Sequence, residues 1–397
     1  MNFDISYFKK FNNKVALIDV NNIRYSYSDF VLEIKKLHKK FIKNSLVLMV
    51  VSNSFESFIG YFSFLDKSKN CTTIIIDESF GNEYFNKIIK KYKPKYLFYP
   101  SNFSIAKKIP TKSFIYKKYI LSQTKNLIDK KINHKNFILI SSSGTTGNPK
   151  FIRLTRKNIT TNAASIVKSL NISSKHKTIT TMPMGYSYGL SIINSHILSG
   201  ATITINQNTI FEKKFWEKLK ENEIYSFAGV PQFYEFLKNI KFHLFNLPKL
   251  KYITVAGGHL DLNIKKYFIS LSKKKKIKFF TMYGQAEAAP RISCLNPALN
   301  PSKINSIGRP INGVKLLLID NKNKQIKKTN KNGEILVLGK NVCLGYARKY
   351  SDLYKGDENN SSLKTGDIGY FDRQKYLHVV GRKKDIIIRG GVNIFPL

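Results

Sequence analysis

The sequence of 397 residues predicts an α/β protein with two doubly wound, largely parallel sheet subdomains and a smaller β-rich subdomain. Near-continuous apolar strands alternate with amphipathic helices in the first half, as expected for a parallel sheet covered on both faces. The same order recurs from residue 201. After about residue 292, short strands lie between Asn, Gly and Asp turns with no good helix. We therefore expect residues 1–291 to hold both α/β subdomains, 292–380 the β-rich one, and 381–397 a terminal segment.

The individual elements follow from local signals. Ser28 is expected to cap a helix that continues to about Ile42, because apolar residues recur there at helical spacing. Elsewhere, short apolar runs predict strands and amphipathic runs predict helices. The predicted strands are 46–51, 72–76, 96–99, 201–205, 252–256, 278–282, 314–320, 334–338, 376–380 and 386–388, and the other predicted helices are 55–65, 84–91, 211–221 and 262–273.

Composition and charge exclude some classes of protein. Hydrophobic residues make up 42% of the chain and aromatic residues 13%, so it can form a sizeable core and is not mainly disordered. The net charge of +42 suggests a nucleic-acid or anionic-membrane partner, but the lysines are spread along the whole chain, as AT-rich codon usage would give. The sequence has no helix-turn-helix, zinc-finger, RRM or KH signature, so we expect no specific nucleic-acid partner.

The cysteines and apolar runs bear on where the protein works. Cys71, Cys294 and Cys343 are widely separated and form neither a metal-spaced pair nor an even-numbered disulfide framework, which fits a reducing cytosol. The N-terminal segment lacks the apolar region of a signal peptide, and no apolar run approaches the length that spans a bilayer. We therefore expect a cytoplasmic protein with no transmembrane segment.

The most informative stretch is residues 137–155, where an apolar strand leads into a loop of Ser, Gly and Thr that ends at Lys150. Glycines let backbone amides approach an anion closely, hydroxyl groups add donors, and Lys150 supplies a positive charge. The loop is not a Walker A motif, because the spacing differs and no Ser or Thr follows the lysine. It predicts a polyphosphate site rather than a Ser/Gly surface turn. The candidate ligands in the loop are Ser142, Ser143, Gly144, Thr145, Thr146 and Gly147.

This loop resembles the phosphate-binding signature of the adenylate-forming superfamily, which contains acyl- and aryl-CoA synthetases, luciferases and the adenylation domains of nonribosomal peptide synthetases. Other segments resemble further motifs of this family and occur in the family's order. The resemblance implies the fold of the large N-terminal domain of these enzymes. The segments are MPMGYSYGL at 182–190 (acyl pocket), AGG at 256–258 (adenine side), YGQAE at 283–287, TGDIG at 365–369, and GRKKD at 381–385 with GGVNI at 390–394 (hinge).

The resemblance implies an enzyme that activates a carboxylic acid with ATP and Mg²⁺ to an acyl-adenylate, and then transfers the acyl group to CoA or to the phosphopantetheine of an acyl-carrier protein. It implies that Thr145, Thr146 and Lys150 hold the β- and γ-phosphates, and that Glu287 and Thr145 hold Mg²⁺. Thr145, Lys150 and Glu287 are therefore the implied catalytic residues. Beyond the phosphate loop, the implied nucleotide-binding residues are Gly257, Gly258, Tyr283 on adenine, Gly284, Gln285, and Asp367 and Arg382 on ribose.

The acyl pocket has a weaker signal in the sequence. By resemblance, Tyr186, Ser187 and Tyr188 are candidate substrate residues, although both tyrosines fit equally well as core aromatic residues. Peptide-synthetase domains carry an aspartate for the substrate's α-amino group in the segment that here has Ser187. Residues 182–190 contain no carboxylate, so a buried ammonium group would be unpaired. This favours a plain carboxylic acid over an α-amino acid.

Two departures from the family pattern matter. Ala286 replaces the usual threonine of the YGxTE motif, which removes a hydroxyl donor to the α-phosphate. The sequence ends at Leu397, just after the hinge residue Lys384, whereas the family has a C-terminal lid domain that brings a catalytic lysine. We expect a fragment of a longer gene or an isolated domain, with a separate lid polypeptide as one alternative. The other alternative is a catalytically impaired nucleotide- or acyl-binding protein.

Overall fold

Two large mixed β-sheets with helices packed on them, and a smaller antiparallel sheet, make up most of the computed structural model. The structure describes residues 3–103, 110–141, 150–385, 387–389 and 392–394. Parallel strands form the centre of both large sheets, and antiparallel strands extend their edges. This arrangement confirms the predicted α/β class.

The strands that lie inside the large sheets are buried on both faces, which is why they appear in the sequence as continuous apolar runs. In chain order the strands are β1 (Val15–Ile18), β2 (Arg24–Ser26), β3 (Leu46–Val51), β4 (Thr72–Asp77), β5 (Tyr96–Pro100), β6 (Pro110–Tyr116), β7 (Tyr119–Thr124), β8 (Ile138–Ser141), β9 (Phe151–Leu154), β10 (Lys177–Ile179), β11 (Thr202–Thr204), β12 (Ser226–Gly229), β13 (Tyr252–Val255), β14 (Lys278–Gly284), β15 (Arg291–Leu295), β16 (Arg309–Pro310), β17 (Val314–Ile319), β18 (Gly333–Gly339), β19 (Gly345–Ala347), β20 (Ser362–Phe371), β21 (Leu377–Arg382), β22 (Ile387–Arg389) and β23 (Val392–Ile394).

The helices connect these strands, and within the described ranges none of them is both long enough and apolar enough to cross a bilayer. In chain order they are α1 (Ile5–Phe8), α2 (Tyr27–His38), α3 (Phe55–Leu65), α4 (Gly81–Tyr92), α5 (Arg156–Leu170), α6 (Ser187–Ser199), α7 (Lys213–Glu221), α8 (Pro231–Asn239) and α9 (Leu262–Lys275).

The first large sheet has the strand order β19-β9-β8-β4-β3-β5-β7-β6, with β8, β4, β3 and β5 parallel. The second has the order β16-β15-β14-β13-β12-β10-β11-β1-β2, with β14 through β1 parallel. The carboxyl ends of parallel strands meet at one edge of a sheet, which is where open α/β sheets bind ligands. The segments that follow β13 and β14 therefore begin side by side.

The smaller sheet is antiparallel, in the order β17-β18-β20-β21, and β22 pairs with β23 in a separate hairpin. Strands β16 and β19 fall between residues 292 and 380 in the sequence but belong to the two large sheets. The predicted domain boundaries at 291 and 380 stay a prediction.

The prediction for the ends of α2 was wrong. Ser26, not Ser28, is the N-cap: its hydroxyl accepts from the Asp29 amide at 3.1 Å, and the Asp29 carboxylate accepts from the Ser26 amide at 2.8 Å. This reciprocal pair is a capping box. The Ser28 hydroxyl instead donates to the Asn12 carbonyl, and the helix ends at His38 rather than near Ile42.

The strand at 46–51 and the helix at 55–65 have the predicted bounds, and the other predicted elements are present with ends shifted by a few residues. Helices α5, α6 and α8 and the β6–β7 hairpin were not predicted. Nearly every residue of α6 is buried, so this helix has no polar face. Its sequence therefore lacks the periodic alternation of apolar and polar residues by which a helix is predicted.

A wholly buried arginine on β9 fixes the position of the chain near β19. The Arg153 guanidinium donates to the carbonyls of Leu344, Lys355 and Gly356 and pairs with Glu358. A buried cation is tolerated only when it is paired and hydrogen-bonded in this way. Arg153 thereby holds the segment that carries β19 against the first large sheet.

The capping box leads to a direct test with a matched control. Ser26→Ala should lower the free energy of unfolding by about 1 kcal/mol, because it removes the N-cap acceptor. Ser28→Ala removes only an exposed hydrogen bond and should stay within about 0.5 kcal/mol of the parent. Urea unfolding followed by circular dichroism measures both values. Equal effects of the two substitutions would contradict the N-cap assignment.

Candidate active site

A buried carboxylate at the junction of the second large sheet and the smaller sheet is the centre of the site. Asp367 lies on β20 and is only 4% exposed. Its Oδ2 accepts from the Tyr283 hydroxyl and, at 2.8 Å, from Gln285 Nε2. Its Oδ1 is 2.8 Å from Arg382 Nε, on the neighbouring strand β21. Four of the sequence-predicted nucleotide residues therefore meet at one point.

The chain around Tyr283 and Gln285 is held tightly. Gln285 also donates to the Thr365 carbonyl at 3.0 Å, so the end of β14 is bonded to both the main chain and a side chain of β20. A side chain at Gly284 would collide with the carbonyl oxygen of Pro290. Burial and the neighbouring Asp367 charge raise the pKa of Tyr283 well above its ordinary value. The phenol therefore stays protonated and remains a donor to Asp367.

A second group of side chains lies at the other end of the YGQAE segment. The Tyr346 hydroxyl donates to Glu287 Oε1 at 2.8 Å, and Lys150 Nζ lies 3.4 Å from the centroid of the Tyr346 ring. Strand β19 pairs with β9, which sets Tyr346 opposite Ile152 and so beside Lys150. Tyr346 was not predicted, because nothing in the sequence near it resembles a family motif.

The charges in this second group affect one another. Burial lowers the pKa of Lys150 and the Arg348 charge lowers it further, while Glu287 raises it. Burial and Glu287 together raise the pKa of Tyr346. Among the described residues, no donor contacts the second carboxylate oxygen of Glu287. Within those residues no group of three or more His, Cys, Asp or Glu could hold a metal ion, and Glu287 is the described member of the predicted Mg²⁺ site.

In the sequence, the predicted phosphate loop lies between β8 and β9 and ends at Lys150. Its predicted ligands Ser142, Ser143, Gly144, Thr145, Thr146 and Gly147 lie outside the described residues. The strands on either side of the loop are antiparallel neighbours, with Ser141 opposite Phe151. The two ends of the loop therefore start close together, next to Lys150.

Gly257 and Gly258 follow β13 and are exposed, beside the strand that leads to Tyr283. Gly257 has a φ of 90°, a conformation that side-chain-bearing residues rarely adopt. A Cβ atom at Gly258 would lie 3.2 Å from Cγ of Pro231, at the start of α8. A side chain at Gly258 would therefore press on Pro231, while the glycine backbone itself stays exposed. Lys384, the predicted hinge residue, lies in a short 3-10 turn just after β21.

The three candidate substrate residues differ in their surroundings. Tyr186 is 44% exposed and precedes α6, whose first residue is Ser187. Tyr188 is buried, and its hydroxyl donates to the Thr254 carbonyl at 3.1 Å. The guanidinium of Arg291 lies 3.9 Å from the centroid of the Tyr188 ring. Arg291 was not predicted, because a single arginine after the YGQAE segment carries no pattern of its own.

A small cavity of about 10 Å³, with room for roughly one water molecule, lies between α5, α6, β12 and β13. Polar side chains from several elements line it, among them Ser191, Ser195, His196, Thr254 and Arg291. His196 is fully enclosed, with Nδ1 2.8 Å from the Ile192 carbonyl and Nε2 3.1 Å from the Tyr252 hydroxyl. Burial lowers the pKa of His196 to about 4.

Comparison with known proteins places these features in a family. The model of the AMP-binding enzyme family matches residues 6–347. The 2-succinylbenzoate–CoA ligase of Bacillus licheniformis is 29% identical over 259 residues, which is 65% of this chain and 52% of that protein. The oxalate–CoA ligase of Arabidopsis thaliana is 28% identical over 273 residues, 67% of this chain and 52% of that protein. The chain thus spans about half the length of the curated relatives it matches.

Solved structures agree with the fold. The o-succinylbenzoate CoA synthetase of Bacillus subtilis, in complex with its acyl-adenylate intermediate, superposes with a TM-score of 0.80 at 20% identity, covering 100% of this chain and 81% of that one. The N-terminal domain of FACL13 from Mycobacterium tuberculosis gives a TM-score of 0.76 at 15% identity, covering 96% of this chain and 99% of that one.

The buried histidine makes the stability depend on pH. The unfolded chain binds a proton at His196 below about pH 6.5, whereas the folded chain does so only near pH 4, so stability should fall as the pH drops through this window. His196→Gln should make that fall smaller, whatever its effect at pH 7. Urea unfolding at several pH values between 7 and 4 measures the dependence. His259→Gln, at an exposed position, is the control. Identical pH dependence in His196→Gln and the parent would rule out His196 as the cause.

Proposed function

The chain belongs to the AMP-binding enzyme family, and from that premise we propose that it carries the nucleotide and acyl sites of a ligase that activates a carboxylic acid with ATP. In the proposed reaction, the acid's carboxylate attacks the α-phosphorus of ATP, pyrophosphate leaves, and an acyl-adenylate forms. The sulfur of a thiol then attacks the acyl carbon, the thiol gives up its proton and AMP leaves; CoA is the first candidate for the thiol and the phosphopantetheine of a carrier protein the second. The observation that carries the proposal is the cluster around Asp367.

The geometry of Asp367 suits the recognition of ribose. A carboxylate offers four lone-pair positions, and three of them accept from Tyr283, Gln285 and Arg382. No second described residue donates to Oδ1, and the two donors on Oδ2 belong to side chains that can exchange with ligand hydroxyl groups. Vicinal hydroxyls of a ribose can therefore both donate to this carboxylate. The three donors replace the water that the carboxylate loses on burial.

The second cluster suits the phosphates and their cation. Lys150 provides a positive charge for the β- and γ-phosphates, and Glu287 has a carboxylate oxygen that accepts from no described residue and is of the kind that Mg²⁺ prefers. Displacement at phosphorus depends mainly on neutralising the developing charge and aligning the reacting groups, which a cation and a positioned lysine supply. Tyr346 links the two side chains, so it acts as a positioning residue for both.

The identity of the acid does not follow from family membership. By their names, the relatives act on 2-succinylbenzoate and on oxalate, so proteins of this family differ in the acid they take. The absence of a carboxylate in residues 182–190 supports a plain acid over an α-amino acid. We propose a cytoplasmic location, and we propose that a lid domain completes the site, either in a longer form of this chain or as a separate polypeptide.

Ala286 supports a second candidate function, in which the chain binds nucleotide and acid without turnover. Its side chain is partly buried against the largest hydrophobic cluster, and it provides no hydroxyl for the α-phosphate. Pyrophosphate exchange in the presence of a lid domain separates the two functions. Exchange supports the ligase, and AMP binding without exchange supports the binding protein.

The two clusters should respond differently to mutation. Asp367→Asn should weaken AMP and ATP alike by about 10- to 100-fold, because both contain the ribose and a hydrogen bond to a charged group contributes about 1.5–3 kcal/mol. Lys150→Met should weaken ATP more than AMP, because its charge serves the outer phosphates. Isothermal titration calorimetry with Mg²⁺ present measures all four affinities.

Lys364→Met is the control for these measurements, because Lys364 is exposed on the same strand as Asp367 and its ammonium group donates to Asn323. It should leave both affinities unchanged. Unaltered AMP binding by Asp367→Asn, in a variant that remains folded, would overturn the ribose assignment. Equal losses of AMP and ATP in Lys150→Met would overturn the assignment to the outer phosphates.

A further inference from the structure

The pairing of β19 with β9 places two positive charges opposite each other. The two strands are antiparallel, and Ala347 lies opposite Phe151. The next pair in the same register is Arg348 and Lys150, one residue beyond the end of each strand. Like charges directly opposite each other on neighbouring strands repel and destabilise the pairing. An anion held between the two side chains would remove that cost.

Both cations lie beside one aromatic ring. Alternate residues of an extended chain point to the same side, so Arg348 and Tyr346 share a face. Lys150 Nζ lies 3.4 Å from the centroid of the Tyr346 ring, and the guanidinium carbon of Arg348 lies 5.6 Å from it. The hydroxyl of this ring donates to Glu287. Burial lowers the pKa of Lys150 and the Arg348 charge lowers it further, as expected for two cations held close together.

The protein itself supplies no carboxylate to the guanidinium of Arg348. Among the described residues it forms no hydrogen bond or ion pair, and the remaining residues of the chain include no Asp or Glu. Glu287 is thus a single negative charge beside two positive ones. The carboxylates in the segment after β19 already have other partners: Asp352 accepts from the amides of Arg348 and Lys349 and pairs with Lys355, Asp357 accepts from the amides of Asn359 and Asn360, and Glu358 pairs with Arg153 and Lys355.

The position of Arg348 indicates which part of a nucleotide would supply the missing anion. Arg348 follows a strand of the first large sheet and lies opposite Lys150, for which the outer phosphates are proposed. The ribose is proposed to bind at Asp367, on the separate small sheet. A group opposite Lys150 is therefore placed for the β- and γ-phosphates rather than for the nucleoside. Its planar guanidinium can donate to two phosphate oxygens at once.

We propose that Arg348 is a second binding residue for the outer phosphates of ATP, and that it holds the leaving pyrophosphate together with Lys150. This inference rests on the proposed ligase function and adds a residue to its phosphate site. When the acid's carboxylate attacks, the bond from the α-phosphorus to the bridging oxygen breaks and its electron pair goes to pyrophosphate. Two opposed cations neutralise the charge that develops there. Arg348 is exposed, so it can contact the pyrophosphate without blocking its release.

Calorimetry with ATP, inorganic pyrophosphate and AMP, each with Mg²⁺ present, tests the proposal without requiring turnover. Arg348→Met should weaken ATP and pyrophosphate about fivefold to tenfold and leave AMP unchanged, because AMP lacks the outer phosphates. Arg348→Lys retains the charge and should lose less affinity than Arg348→Met. Lys349→Met is the matched control: it removes one positive charge from the next exposed residue, whose side chain points to the other side of the chain. It should change none of the three affinities.

The outcomes separate this inference from the proposed function. Parent-like ATP binding in Arg348→Met, an equal loss of AMP, or an equal effect of Lys349→Met would overturn the role of Arg348. If Lys150→Met weakens ATP and Arg348→Met does not, only this inference fails. If the parent protein binds neither ATP nor AMP, the proposed ligase function itself fails.

Discussion

The site depends on the burial of one carboxylate between two sheets. Asp367 lies on the small sheet, whereas Tyr283 and Gln285 come from the end of β14 in the second large sheet. A buried carboxylate without donors would be unstable, so these contacts fix the relative position of the two sheets as well as the charge. The same contacts leave part of Asp367 available to hydroxyl groups from a ligand. The structural link between the sheets and the proposed ribose site are therefore the same interaction.

The remaining parts of the site follow from how the chain reaches this junction. Parallel strands bring the segments after β13 and β14 to one edge, where Gly257 and Gly258 are exposed. Arg153 holds the chain around β19 so that Tyr346 contacts both Lys150 and Glu287. Arg291 continues the same segment into the core beneath Tyr188. One stretch of chain, from Tyr283 to Glu287, thus contributes to the nucleotide and phosphate parts of the proposed site.

Much of this arrangement could be predicted from the sequence, and the exceptions have physical reasons. The strand at 46–51 and the helix at 55–65 have strong local signals, whereas α6 is buried on all sides and α5 buries Asn158 and Asn162, so neither shows a clear amphipathic face. Asp367, Tyr283, Gln285 and Arg382 could be identified because they lie in motifs. Their mutual hydrogen bonds could not, since these depend on how two sheets pack. Tyr346 and Arg291 lie outside any motif, and their contacts emerge only from the tertiary structure.

The most direct test of the ribose site compares the binding of AMP with that of 2′,3′-dideoxy-AMP by calorimetry. The two ligands share the base, the phosphate and the charge, and differ only in the hydroxyl groups that Asp367 is proposed to accept. We expect AMP to bind and the dideoxy form to lose about tenfold or more in affinity, because hydrogen bonds to a buried charge contribute at least that much. Equal affinity for the two ligands would contradict the ribose assignment, since nucleotide would then bind without using the carboxylate on which the site is built.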